Sequence, residues 1–88
     1  MNFLYFDVGA CVRGAVVRVA LSGSAANVML VDDLNLSRYR SGRSFEYFGG
    51  HATRSPVLLT VPRDGHWTVV IDLGGGSGHV NAQVSLVA

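Results

Sequence analysis

Four arginines, two tyrosines and a histidine crowd the centre of the chain: Arg38, Tyr39, Arg40, Arg43, Tyr47, His51 and Arg54. A guanidinium forks onto carboxylate or phosphate and stacks on aromatic rings. Interleaved with aromatics, such groups suit a small anionic ligand, a nucleotide, single-stranded nucleic acid or an anionic glycan. Only Glu46 opposes the four arginines within this stretch. The simpler reading is a solvated loop. All seven basic residues are Arg and none is Lys, which is also what codon bias in a GC-rich genome produces.

The other chemistry-bearing residues are more scattered. His51, His66 and His79 are the only histidines, none at metal-ligand spacing from another, and Cys11 is distant from all three. His66 and Asp72 share a face of one extended stretch, yet six residues there span roughly 20 Å. No metal site and no cofactor are therefore expected. GGGSG at Gly74 to Gly78 invites a phosphate-loop reading, but that motif needs a following helix and a Lys-Ser/Thr pair, and here a strand pattern follows. The same segment is no nucleophile elbow, which needs a strand-to-helix turn. A hairpin loop is the plainer reading. Cys11 has no basic helix N-terminus nearby to activate it and reads as a buried, inert thiol. No reaction is identified, and a non-catalytic protein is expected.

The elements that would position these groups are strands. Thr53 to Gly76 alternates with period two: Val57, Leu59 and Val61 share one face, then Trp67, Val69, Ile71 and Leu73 share another. Pro62 cannot donate to a ladder and Asp64-Gly65 is a favoured turn dipeptide, so this stretch reads as a β-hairpin with Trp67 anchoring the core. Asn2 to Val8 alternates with aromatics on both faces. Ala15 to Ser22 places Val17, Val19 and Leu21 inward. Asn27 to Asp32 is nearly continuous in apolar residues, as suits a strand covered on both sides. The Gly23-Ser24 turn suggests a hairpin between those last two. Asp33 to Gly42 breaks the pattern. Its lack of a sustained 3.6-residue period predicts a single helical turn or an ordered loop. Ser44 to Phe48 reads as a short aromatic strand closed by Gly49-Gly50. Val80 to Val87 reads as the last strand, with His79, Asn81, Gln83 and Ser85 as a solvated row.

About seven strands at 8–12-residue spacing, with no helix for a crossover, predict an all-β fold: an antiparallel β-sandwich or flattened barrel in a single domain over residues 1–88. A chain of 88 residues buries roughly 60–65% of its unfolded surface, enough for one core but not for a deep cavity as well. With 49% apolar and 15% charged residues, some apolar surface is expected to be covered by self-association or a protein partner. The net charge of +1 gives no global pull toward nucleic acid or membrane. A lone cysteine implies no disulfide scaffold. The start MNFLYFDVGA lacks a signal-peptide pattern, and no apolar run is long enough to span a membrane, so a cytoplasmic protein is expected.

Leu21 to Val28 (LSGSAANV), Arg38 to Gly50 (RYRSGRSFEYFGG) and Thr53 to Gly75 together resemble a small bacterial family known only as a domain of unknown function. Its members are short single-domain proteins or sit beside a TIR-type domain. The resemblance covers nearly the whole chain. It implies a compact β-sandwich and a sensing or interaction role, and it carries no catalytic residues. The expectation is a non-catalytic module that recognises a partner or self-associates, with the central arginines and aromatics as its contact surface.

Overall fold

The computed structural model describes residues 3–74 and 78–87. Among them, seven strands and one helix follow in the order β1 (Phe3–Cys11), β2 (Val16–Gly23), β3 (Ala26–Asp32), α1 (Asp33–Arg40), β4 (Phe48–Ala52), β5 (Val57–Thr60), β6 (Gly65–Asp72) and β7 (Val80–Leu86). They form two antiparallel sheets, one in the order β1-β6-β3-β4 and the other β5-β2-β7. The sheets face each other without closing into a barrel, which makes the protein an all-β sandwich.

Between the sheets, the inward rows meet. Val17, Val19 and Leu59 from the smaller sheet pack with Val28, Leu30, Trp67, Val69 and Ile71 from the larger one. Trp67 is 1% exposed. Its indole N–H donates to the carbonyl of Arg63 at 3.0 Å, so its burial leaves no donor stranded. Fully burying a side chain of this size stabilises the fold by about 1.5–3 kcal/mol.

Pairing departs from the hairpins expected above. β2 lies in the smaller sheet and β3 in the larger, so they are not hairpin partners. β5 and β6 are likewise separated: β5 pairs with β2, and β6 runs between β1 and β3. The reason lies in β6, whose Thr68 and Val70 are as buried as Trp67, Val69 and Ile71. A strand covered on both faces belongs inside the larger sheet. β5 is four residues between Pro56 and Pro62 and goes to an edge, where missing donors cost nothing. The Asp64-Gly65 turn therefore carries the chain between sheets. The glycine segment after β6 does the same. It joins opposite sheets and is no hairpin loop, and its residues 75–77 lie outside those described.

Among the described residues, the one pair of sequence-adjacent strands that hydrogen-bond side by side is β3 and β4, and α1 bridges them. Here too the sequence pattern misplaces an element. The strand expected over Ser44 to Phe48 instead occupies Phe48–Ala52, with the glycine pair inside it. Residues 43–47 are irregular, and Phe45 among them packs against Met29, Val31, Tyr39 and Val70. The segment expected as a single turn is an eight-residue helix of about two turns.

Candidate functional site

β3 ends in Asp32, whose carboxylate caps the helix by accepting from the Asn35 backbone N–H at 2.9 Å. Asn35 is itself buried, donates its side-chain amide to Asp32 and accepts from Glu46 N–H at 2.8 Å. That last bond ties residues 43–47 back to the helix. The helix closes through Ser41, Gly42 and Arg43, which donate their N–H groups to the carbonyls of Ser37, Tyr39 and Arg38. Together these contacts tie the end of β3, α1 and the segment after it to one another.

Beneath the helix lies a second, smaller core of Met29, Val31, Tyr39 and Val70. Tyr39 is buried and donates its hydroxyl to Asp72 Oδ2 at 2.6 Å. Asp72 Oδ1 accepts from Asn27 Nδ2 at 2.8 Å and from Gly74 N–H at 3.0 Å. Burial works to raise the Asp72 carboxyl, but donation from Tyr39, Asn27 and Gly74 outweighs it and holds the group below the usual carboxylate range. Burial first, and then the facing Asp72, push the Tyr39 phenol well above its ordinary value.

Around Tyr39 the rings form a continuous run. Phe3 meets Tyr39 edge-on at 5.0 Å, and Tyr39 meets Phe45 edge-on at 5.1 Å. Tyr5 extends the run beyond Phe3, and Tyr47 extends it beyond Phe45. The two end rings, Tyr5 and Tyr47, are about half exposed, at 53% and 47%. The Arg40 guanidinium lies over the Tyr5 ring at 4.8 Å from its centroid and over Phe3 at 6.0 Å.

The seven residues singled out from the sequence are thus divided. Arg40 and Tyr47 join the aromatic run at its exposed parts, and Tyr39 sits buried at its centre. Arg38 and Arg43 are exposed at the helix end, joined by the Arg43 N–H bond to the Arg38 carbonyl. His51 is exposed on β4 opposite Asn27. Arg54 lines a different hollow, beside Leu21 to Ala25 at the turn between β2 and β3. Among the described residues, none of these four arginines has a carboxylate within salt-bridge distance. Arg63, by contrast, is held by Asp32 and lies 4.9 Å over the Trp67 ring.

Two features escaped the sequence reading. Phe3 and Tyr5 belong to the aromatic surface although some thirty residues precede the helix. Their signal was the alternation of the first strand, which puts them on one face, but only the pairing of Tyr5 with Val70 brings that face to α1. The second feature is the pair of carboxylates around His66, whose Nε2 lies 2.5 Å from Asp7 Oδ1 and whose Nδ1 lies 3.8 Å from Asp33 Oδ2. The hydrogen bond to Asp7, and the charges of Asp33 and Asp7, raise the His66 pKa, while the same bond lowers that of Asp7. This exposed trio links β1, β6 and the start of α1. Cys11 is buried, with burial pushing its thiol up.

No helix among the described residues is long and apolar enough to cross a membrane. Neither a curated protein nor a solved structure matches the chain. A family model does match, across residues 1–88, and the chain belongs to the family it describes, the domain of unknown function DUF1883.

Proposed function

We propose that the protein is a non-catalytic interaction module whose contact surface is the aromatic and arginine face on the outside of its larger sheet. One observation carries this reading. Arg40 is exposed and lies over Tyr5 at one half-exposed end of a packed aromatic run whose other end is Tyr47, and Arg38, Arg40 and Arg43 all lack a carboxylate partner among the described residues. The inner rings and the Tyr39–Asp72 bond make that face rigid, so little side-chain freedom is lost when a partner docks. Arg40 is already oriented by its stacking on Tyr5. Tyrosine and arginine are the residue types that carry most binding energy at protein interfaces. The chemistry complementary to this surface is an acidic polypeptide segment with apolar or aromatic side chains among its carboxylates.

The same three arginines support a second reading, a small anionic ligand or single-stranded nucleic acid. NMR titration of the isotopically labelled protein tests both. Polyglutamate, inorganic phosphate and oligothymidylate serve as probes. The first reading expects polyglutamate to shift amides over Arg38 to Tyr47 and at Tyr5, with phosphate and oligothymidylate much weaker. Preference for oligothymidylate or phosphate at the same amides transfers the site to the second reading. Shifts scattered over the whole surface, or none with any probe, overturn both.

A further inference from the structure

The sandwich has four sheet edges, and three of them are blunted. β5 is four residues between two prolines. β4 is five residues with Gly49 and Gly50 at φ +124° and +155°, outside the conformations of a flat strand. β1 bulges between Asp7 and Gly9, and Asp7 folds back to accept the Gly9 N–H at 2.8 Å. Short length, Pro, bulges and charge are the usual means by which an edge avoids pairing with another chain. β7 has none of them. Its seven residues, VNAQVSL, contain no charge, Gly or Pro, and their register with β2 runs unbroken from Leu86 opposite Val17 to Val80 opposite Gly23. Among the described residues no strand pairs with its other side.

The direction of its free backbone groups follows from the ladder. Val87 donates its N–H to the Val16 carbonyl. Alternation in an antiparallel pair then turns the N–H and C=O groups of Val80, Ala82, Val84 and Leu86 away from β2.

We infer that β7 is a self-association edge, pairing antiparallel with β7 of a second copy of this chain about a two-fold axis centred on Gln83. This inference goes beyond the contact surface proposed above and uses the opposite sheet. The register places Ala82 opposite Val84 of the second copy and Val80 opposite Leu86, so all four residues with outward-facing backbone groups exchange hydrogen bonds. Val80, Ala82 and Val84 already pack toward the core. Pairing would carry that apolar row into the second sandwich and cover Leu86, which is 50% exposed. On the outer row, Gln83 meets its own counterpart and Asn81 meets Ser85. A second copy is favoured because a two-fold axis sets a strand against itself, where any charge near the axis would meet its like. This strand has no charge to repel. Joining the three-stranded sheets in this way makes one continuous six-stranded sheet.

The test is light scattering after size exclusion, run on the wild type, Q83K, Q83E and an equimolar mixture of the two variants. Gln83 is exposed and outward-facing, so neither variant disturbs the core. The wild type is expected at twice the 9.4 kDa chain mass, with little dependence on salt. Q83K and Q83E alone are each expected to weaken the dimer about fivefold or more through like charges across the axis, and the mixture to re-form it. A82P, which removes one outward N–H, is expected to give monomer with an unchanged far-UV spectrum. A wild type that stays monomeric at roughly millimolar concentration overturns the inference. So does a dimer indifferent to all three substitutions, or a charge-variant mixture that does not re-pair. R40A should leave the dimer intact, so failure here is separate from failure of the aromatic and arginine surface.

Discussion

The Tyr39 hydroxyl donates to Asp72 Oδ2 at 2.6 Å, joining a helix made mostly of polar residues to the central strand of the larger sheet. The helix buries only Asn35 and Tyr39, one residue from each turn, so this bond and its ring contacts do much of the anchoring. Replacing Tyr39 by Phe keeps the ring packing and strips a donor from a half-buried carboxylate. The expected loss is about 1.5–3 kcal/mol of unfolding free energy in urea, as for hydrogen bonds to charged groups. Tyr5→Phe, at the exposed end of the same aromatic run, is expected to cost no more than about 0.5 kcal/mol.

Stability should peak between two titrations. Asp72, Asp32 and Asp7 all have folded pKa values below the ordinary carboxylate value of 3.8. Their contribution is complete above that value and is lost as pH falls through the lowered pKa values. His66 has a folded pKa above the ordinary imidazole value of 6.5. Its contribution is complete below 6.5 and is lost as pH rises through the raised pKa. Urea midpoints measured across pH should therefore fall on both sides. Asp72→Asn should flatten part of the acid limb and His66→Gln the neutral-to-alkaline limb. An alkaline limb unchanged in His66→Gln would contradict the assigned role of the Asp7–His66 contact.

Gly49 lies at the edge of the larger sheet, where an added Cβ would collide with the Val28 carbonyl oxygen on the neighbouring strand. Its φ of +124° is also one that side-chain-bearing residues rarely adopt. Gly49→Ala is expected to cost on the order of 1–3 kcal/mol and to speed hydrogen exchange in β4. Gly50→Ala, with open space around the new methyl, should cost less.

The sequence carried much of the fold through local pattern and little of it through pairing. The near-continuous apolar run of β3 marked it as covered on both faces, and Val28 with Leu30 on one side and Met29 with Val31 on the other fill two cores. The alternation in β2 likewise named its inward row of Val17, Val19 and Leu21, and that of β7 named Val80, Ala82 and Val84 but also Leu86, which is half exposed at the free edge. Partners were not legible, because a turn dipeptide such as Asp64-Gly65 describes a local bend and not the sheet that the next strand joins. The helix gave no 3.6-residue signal because only the Asn35–Tyr39 row, with Leu36 beside it, meets the sheet. Of the candidate surface, the arginines and Tyr47 could be read directly. Tyr5 and Phe3 could not, since they reach Arg40 only through the pairing of β1 with β6.

Core and surface positions should separate cleanly. Leu30 is fully buried in the main core, and Leu30→Ala is expected to cost about 2–5 kcal/mol. Leu58, 62% exposed on the outside of the smaller sheet, should tolerate Ala within about 0.5 kcal/mol. Paired urea denaturation curves read both.

Calorimetric titration of polyglutamate into the wild type, R40A and R54A separates a local contact surface from a net-charge effect. Each variant removes one positive charge, so a net-charge effect moves both alike. Arg40 sits on the aromatic run while Arg54 lines a separate hollow. R40A is expected to weaken binding about tenfold and R54A to leave it near the wild-type value. Equal effects of the two substitutions, or no binding by the wild type, would contradict the local contact surface.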